Sequence, residues 1–143
     1  MRTISDIMSK DCVTCSTNST IQEVAQLMKS HDIGFIPVTE QSRLIGVITD
    51  RDLVIRCCAD NHAPDTAIAN FVSKDIRTAE PGMSVEEAAS IMASEQIRRL
   101  PIVENGHLLG VVALGDLAVR EIFINEAGQA LNEISEHHGS SIH

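Results

Sequence analysis

Thr49 and Asp52 stand three residues apart, directly after the apolar run Gly46-Val47-Ile48. They pair a hydroxyl with a carboxylate where a helix is expected to begin. A carboxylate can accept hydrogen bonds from two vicinal hydroxyls. A hydroxyl and the backbone N–H groups of a helix start suit a phosphate. Further along, Arg77-Thr78 and Arg98-Arg99 supply guanidinium groups, whose planar fork matches phosphate better than an ammonium does. Cys12 and Cys15 have the spacing of a metal or dithiol pair. No second Cys-x-x-Cys completes a zinc site, and the alternation of a strand points the two thiols to opposite faces. Cys57-Cys58 falls late in an expected helix, and His137, His138 and His143 fall in a polar tail. No nucleophile–base pair has a recognisable spacing. The expectation is no catalytic residue, no metal site and no enzyme.

The elements that must position these residues come in two copies. Shifted by 64, residues 4–56 align without a gap on 68–120, with 18 identities in 53 positions. Thr14 falls on Thr78, Pro37 on Pro101, Gly46 on Gly110 and Asp52 on Asp116. Each copy opens with a short extended stretch, 12–16 or 76–80. A capping box follows, Thr20-x-x-Glu23 or Ser84-x-x-Glu87. A helix then carries apolar residues at helical spacing: Ile21, Val24, Ala25, Leu27 and Met28, or Val85, Ala88, Ala89, Ile91 and Met92. Two strand-like runs come next, 35–39 with 44–48 and 100–103 with 108–112, joined by the polar turns 40–43 and 104–107. A second helix begins after Thr49, which can cap it while Asp50 and Asp52 favour its first turn.

The fold class expected is α/β of the α+β type: two βαββα repeats packed with pseudo-two-fold symmetry. The blocks are 1–60 for repeat one, 61–124 for repeat two, and 125–143 for a C-terminal helical segment and tail. Within the last, Ala127, Ala130, Leu131 and Ile134 make one stripe. A single repeat is marginal alone, and two together can bury a core.

Composition narrows the function. Eleven basic against twenty acidic residues leave a net charge of −9, and no basic face for nucleic acid is apparent. Trp and Tyr are absent and only three Phe are present, which disfavours a base-stacking surface. No apolar run approaches the ~20 residues of a membrane helix. The first residues, MRTISDIMSKD, show no signal-peptide core. A cytoplasmic, reduced chain with neither nucleic-acid nor membrane partners is expected.

The repeated pattern resembles the cystathionine-β-synthase (CBS) domain pair, or Bateman module. The carrying segments are Gly46-Val47-Ile48-Thr49-Asp50-Arg51-Asp52, Ile33-Gly34-Phe35-Ile36-Pro37-Val38 and Ile97-Arg98-Arg99-Leu100-Pro101-Ile102. The resemblance implies a regulatory module that binds an adenosine-containing ligand, such as AMP, ADP, ATP, S-adenosylmethionine or a dinucleotide. It requires no cofactor. In the family each site is composite: the Asp of one repeat holds ribose hydroxyls and the Thr lies near phosphate. The other repeat supplies its first strand and its x-x-x-Pro segment.

Carried onto this chain, one site uses Thr49, Asp52, Arg77, Thr78, Arg98, Arg99 and Pro101. A weaker second site uses Asp116 with Thr14, Cys15, Gly34, Phe35 and Pro37. In the second site Ala113 replaces the threonine, and Gly34-Phe35 replace the arginine pair. A neutral nucleoside or no ligand suits it better than a nucleotide. Structural readings stand beside these. Asp52 can serve its own helix, Arg98-Arg99 can be a solvated pair, and Phe35 reads as core. A stand-alone regulator acting in trans on an unknown protein partner is the leading reading. A homodimer is expected, because Leu53, Val54, Ile55, Leu117, Val119, Ile122, Phe123 and Ile124 exceed what one module buries. The alternative is a structural or adaptor dimerisation module without a physiological ligand.

Overall fold

In the computed structural model, residues 2–118 are described. Chain order gives α1 (Ile21–His31), β1 (Phe35–Glu40), β2 (Arg43–Thr49) and the single turn α2 (Asp50–Asp52), which runs on as a π-helical stretch, Leu53–Cys58. The second repeat gives α3 (Val85–Glu95), β3 (Arg99–Glu104), β4 (His107–Ala113) and α4 (Leu114–Ala118). Two tandem repeats of mixed helix and strand are therefore present. The C-terminal segment 125–143 and the apolar residues Val119, Ile122, Phe123 and Ile124 lie outside the described residues.

The compact units differ from the sequence blocks 1–60 and 61–124. One unit joins residues 11–76 with 106–108; the other joins 2–10 with 77–105 and 109–118. Each unit is thus closed by the entry segment of the other repeat. In the first-repeat unit, the 3-10 turn Ile68–Phe71 adds Ile68, Phe71 and Val72 to a core of Ile21, Val24, Met28, Ile36, Val38, Ile48 and Leu53. In the second-repeat unit, the turn Ile4–Asp6 places Ile4 and Ile7 in a core with Val85, Met92, Leu100, Ile102, Val112, Leu114 and Leu117. Ile4 and Ile68 are both fully buried. Burying such a side chain is worth about 1.5–3 kcal/mol, so each entry segment is held by the core that it joins.

The helix starts follow the sequence with one difference. The Thr20 hydroxyl accepts from Glu23 N–H (3.1 Å), and the Glu23 carboxylate accepts from Thr20 N–H (2.9 Å). At α3 only half of the expected box forms. The Ser84 hydroxyl accepts from Glu87 N–H (3.1 Å), and the Ser84 backbone bridges Thr3. On α1 the expected apolar position Ala25 is exposed, whereas its counterpart Ala89 is buried.

β1 and β2 form an antiparallel hairpin that pairs Phe35 with Thr49, Ile36 with Ile48 and Pro37 with Val47. The expected opening strands are reduced to single parallel bridges, Cys15 to Val38 and Ala79 to Ile102. The second helix of repeat one also departs from a regular α-helix. Ala59 N–H reaches Val54 O (2.9 Å) and His62 N–H reaches Cys57 O (3.0 Å), both five residues back.

Candidate functional site

In the first-repeat unit, Thr49 ends β2 and caps α2. Its hydroxyl accepts from Asp52 N–H at 3.1 Å, and Asp52 Oδ2 accepts from Thr49 N–H at 2.9 Å. This reciprocal box has the physical logic of the one at Thr20, with aspartate in place of glutamate. The structural role of Asp52 is therefore real, and it leaves chemistry to spare. Asp52 Oδ1 accepts no hydrogen bond among the described residues. The Thr49 hydroxyl, having accepted one bond, can still donate its proton. Both residues are half-buried. A carboxylate and a hydroxyl are thus held fixed, each with one unused hydrogen-bonding function.

The same unit carries the strand-entry residues. Gly34 precedes β1, and its carbonyl accepts from Asp50 N–H at 3.0 Å. Phe35 faces Thr49 across the hairpin, so the two side chains share a face. Phe35 is half-buried and stands outside the core cluster, which corrects its reading as core. Thr14 is exposed. Cys15 is 8% exposed and belongs to the core, and burial pushes its thiol up to about 11. Its N–H donates to Pro37 O (3.2 Å), and its carbonyl accepts from Thr39 N–H (2.8 Å). Cys15 therefore has neither thiol nor backbone free for a ligand. Cys12 is half-buried, and burial raises its thiol as well. The described residues contain no cluster of three or more His, Cys, Asp or Glu able to hold a metal ion.

In the second-repeat unit, Arg98 and Arg99 are exposed and make no ion pair among the described residues. Arg77 does: its Nη1 lies 3.3 Å from Glu95 Oε2 on the surface. Such a pair is worth at most about 1 kcal/mol, so a phosphate could compete for Arg77. Thr78 is half-buried, and the backbone beside it is tied to β3 through Ala79 N–H to Pro101 O (3.0 Å). Pro101 is buried, as is Pro37. Asp116 is exposed and has no side-chain hydrogen bond among the described residues. Ala113 supplies no hydroxyl, so the reciprocal box of Thr49 and Asp52 has no counterpart. Sequence reasoning missed Asp50, whose carboxylate packs over Gly34. The repeats differ here in sequence, Gly34 and Asp50 standing where the second repeat has Arg98 and Leu114, but the contact itself is visible only in the structure.

Two repeats of this kind, each with a strand running into a short helix and an x-x-x-Pro strand entry, define a tandem CBS-type module. The chain belongs to the CBS domain family, whose model matches residues 4–57 and 68–121. It is 46% identical to the CBS domain-containing protein YhcV of Bacillus subtilis, over 94% of this chain and 96% of that protein. Among solved structures it is similar to Hypoxic Response Protein I with two coordinated zinc ions (32% identity, TM-score 0.74, covering 82% of this chain and 98% of that one). It is also similar to the CBS domain pair of protein MJ0100 in complex with 5-methylthioadenosine and S-adenosyl-L-methionine (26% identity, TM-score 0.71, covering 82% and 94%). No helix among the described residues is long and apolar enough to cross a membrane.

Proposed function

We propose that this CBS pair is a non-enzymatic sensor of an adenosine-containing ligand that signals to a protein partner in trans. The observation that carries the reading is the pre-formed Thr49–Asp52 pair. Asp52 Oδ1 is open to a ribose hydroxyl, and the Thr49 proton is open to a phosphate or ribose oxygen. Arg98 and Arg99, with Arg77 and Thr78, supply the phosphate contacts, and the weaker second site draws on Thr14, Gly34, Phe35 and Asp116. The adenosine derivatives bound by MJ0100, a structural relative, support the ligand class. The protein acts in the cytoplasm, and it acts as a homodimer, the second reading supported by the exposed Val54 and Ile55. No resident cofactor is needed for binding.

Native mass spectrometry of freshly purified protein, followed by calorimetric titration with adenosine, AMP, ATP and S-adenosylmethionine, tests the reading. Saturable binding of an adenosine compound is expected. Absence of binding by all four would replace the sensor with an adaptor module that has no ligand.

A further inference from the structure

Asp50 and Gly34 form a contact whose chemistry is inverted in the other repeat. Asp50 N–H donates to Gly34 O at 3.0 Å, and Asp50 Oδ1 accepts from Arg51 N–H at 2.8 Å. The first bond fixes the backbone of Asp50 against the start of the 33–37 segment, and the second holds its carboxylate there. A Cβ at Gly34 would come within 2.6 Å of Asp50 Oδ2, so the carboxylate occupies the space of the missing side chain. Asp50 is exposed, and no ion pair among the described residues neutralises it. In the second repeat the same backbone bond recurs, Leu114 N–H to Arg98 O at 2.8 Å. There the residue at the strand entry is a cation, and its partner is a leucine sunk in the core, 1% exposed.

We infer that Asp50 is the charge filter of the first repeat's strand-entry segment. A ligand held against Ile33–Pro37 is a neutral or cationic adenosine derivative, a thioether or sulfonium nucleoside, and phosphorylated nucleosides are excluded. The inference rests on the adenosine-sensing reading and specifies the ligand of the first repeat's strand-entry segment. The reasoning is electrostatic. A fixed, unpaired carboxylate repels a phosphate brought near it, and attracts a sulfonium or ammonium, by the same Coulomb term of opposite sign. Where one repeat offers a guanidinium to an anion, the other offers a carboxylate in its place. Specificity of this kind arises from repulsion of the wrong ligand as much as from attraction of the right one.

The test is calorimetric titration of the full chain with 5′-methylthioadenosine, S-adenosylmethionine and AMP at low salt. It is run in a background carrying Arg98→Ala and Arg99→Ala, so that phosphate binding elsewhere does not mask the result. Two variants are added, Asp50→Asn and Gly34→Ala, the second of which displaces the carboxylate without removing it. Before these substitutions, the background should bind the thioether and the sulfonium and discriminate against AMP. Asp50→Asn should shift the ratio of S-adenosylmethionine to AMP affinity toward AMP by at least about fivefold. It should leave 5′-methylthioadenosine within about twofold, because that ligand carries no charge for the filter to read. Gly34→Ala should shift the ratio in the same direction. If the ligands bind but Asp50→Asn leaves the ratio unchanged, or weakens all three equally, the filter is overturned while the sensor reading stands. If the unsubstituted protein binds none of them and no other adenosine compound, the sensor reading itself has failed.

Discussion

Gly46 is pressed against the backbone of Ser73. Their strand segments exchange two hydrogen bonds, Val47 N–H to Ser73 O (3.0 Å) and Ser73 N–H to Val47 O (2.9 Å). A Cβ on Gly46 would collide with the Ser73 carbonyl oxygen and with Val72. The second repeat repeats the contact between Gly110 and Ser9, where a Cβ would come within 2.6 Å of Ser9 O. Because the obstacle is backbone, it cannot swing aside as a side chain could. Gly46→Ala should therefore destabilise the protein by about 1–3 kcal/mol, as overpacking does. Gly82→Ala, where a Cβ meets nothing within 4 Å, is the comparison. Urea denaturation measures both, and equal midpoints would contradict the close-approach argument.

Asp52→Ala should weaken adenosine-ligand binding at least about tenfold, the cost of losing one charged hydrogen-bond partner. Asp116→Ala should cost much less, because Asp116 has neither the hydroxyl partner nor the reciprocal box that fixes Asp52. Asp52→Ala also removes the reciprocal half of the capping box, so a melting curve accompanies each titration. Arg98→Ala and Arg99→Ala should weaken AMP and ATP and spare adenosine, since only the phosphate needs a guanidinium. A larger loss at Asp116 than at Asp52 would reverse the ranking of the two sites.

The repeat, its helices and its strand pairs were legible because they are written in hydrophobic period and capping residues. Thr20-x-x-Glu23 is local chemistry, and local chemistry reads directly from sequence. The partition of the cores was not legible. Ile4 and Ile68 occupy equivalent positions of the two repeats, and only packing decides which core each enters. The π-helical turn at Leu53–Cys58 was hidden for the same reason. It is accompanied by a long-range bond from Arg56 Nη1 to Phe71 O (2.9 Å), fifteen residues away. At the site, Thr49 and Asp52 were legible as a motif, whereas Asp50 was not. Its role depends on a contact with Gly34 that spacing alone does not reveal.

The two hairpin turns differ in a way that invites exchange. The first turns through Gln41 and Ser42, at φ 51° and 71°; the second through Asn105 and Gly106, at φ 54° and 85°. Positive φ at both turn residues favours Asn-Gly and costs an ordinary side chain. Gln41→Asn combined with Ser42→Gly should stabilise the first hairpin by roughly 0.5–1 kcal/mol. Thermal unfolding reads the change, and a drop in melting temperature would mean that Gln41 or Ser42 makes a contribution beyond its backbone.

Cys15 imposes a pH limit. Burial raises its thiol from the ordinary 9.0 to about 11, so between these values the unfolded chain loses a proton that the folded chain keeps. Stability contributed by the neutral thiol is complete below pH 9 and falls as pH rises toward 11. Two pKa units correspond to about 2.7 kcal/mol at full development. Cys15→Ala should lower stability at pH 8 through lost packing and flatten the decline between pH 9 and 10.5. Parallel declines for the two proteins would remove Cys15 from the account.

Val54 and Ile55 are 58% and 51% exposed, the large apolar side chains left in solvent among the described residues. They are consecutive on the π-helical turn, while their neighbours Leu53 and Cys57 are buried at 6% and 0%. Leaving two β-branched residues in water is unfavourable, and covering them in a second copy of the chain recovers about 25 cal/mol for each Å² removed. A symmetric dimer doubles the gain, because the same patch serves both subunits. Light scattering at micromolar concentration should give a dimer mass for the wild type. The double variant Val54→Glu, Ile55→Glu should give a monomer, since four carboxylates would meet across the interface. Its circular dichroism should remain that of the folded protein, because neither side chain belongs to a core. A dimer that survives both substitutions would place the contact elsewhere on the chain, and a wild-type monomer would leave the patch for the protein partner.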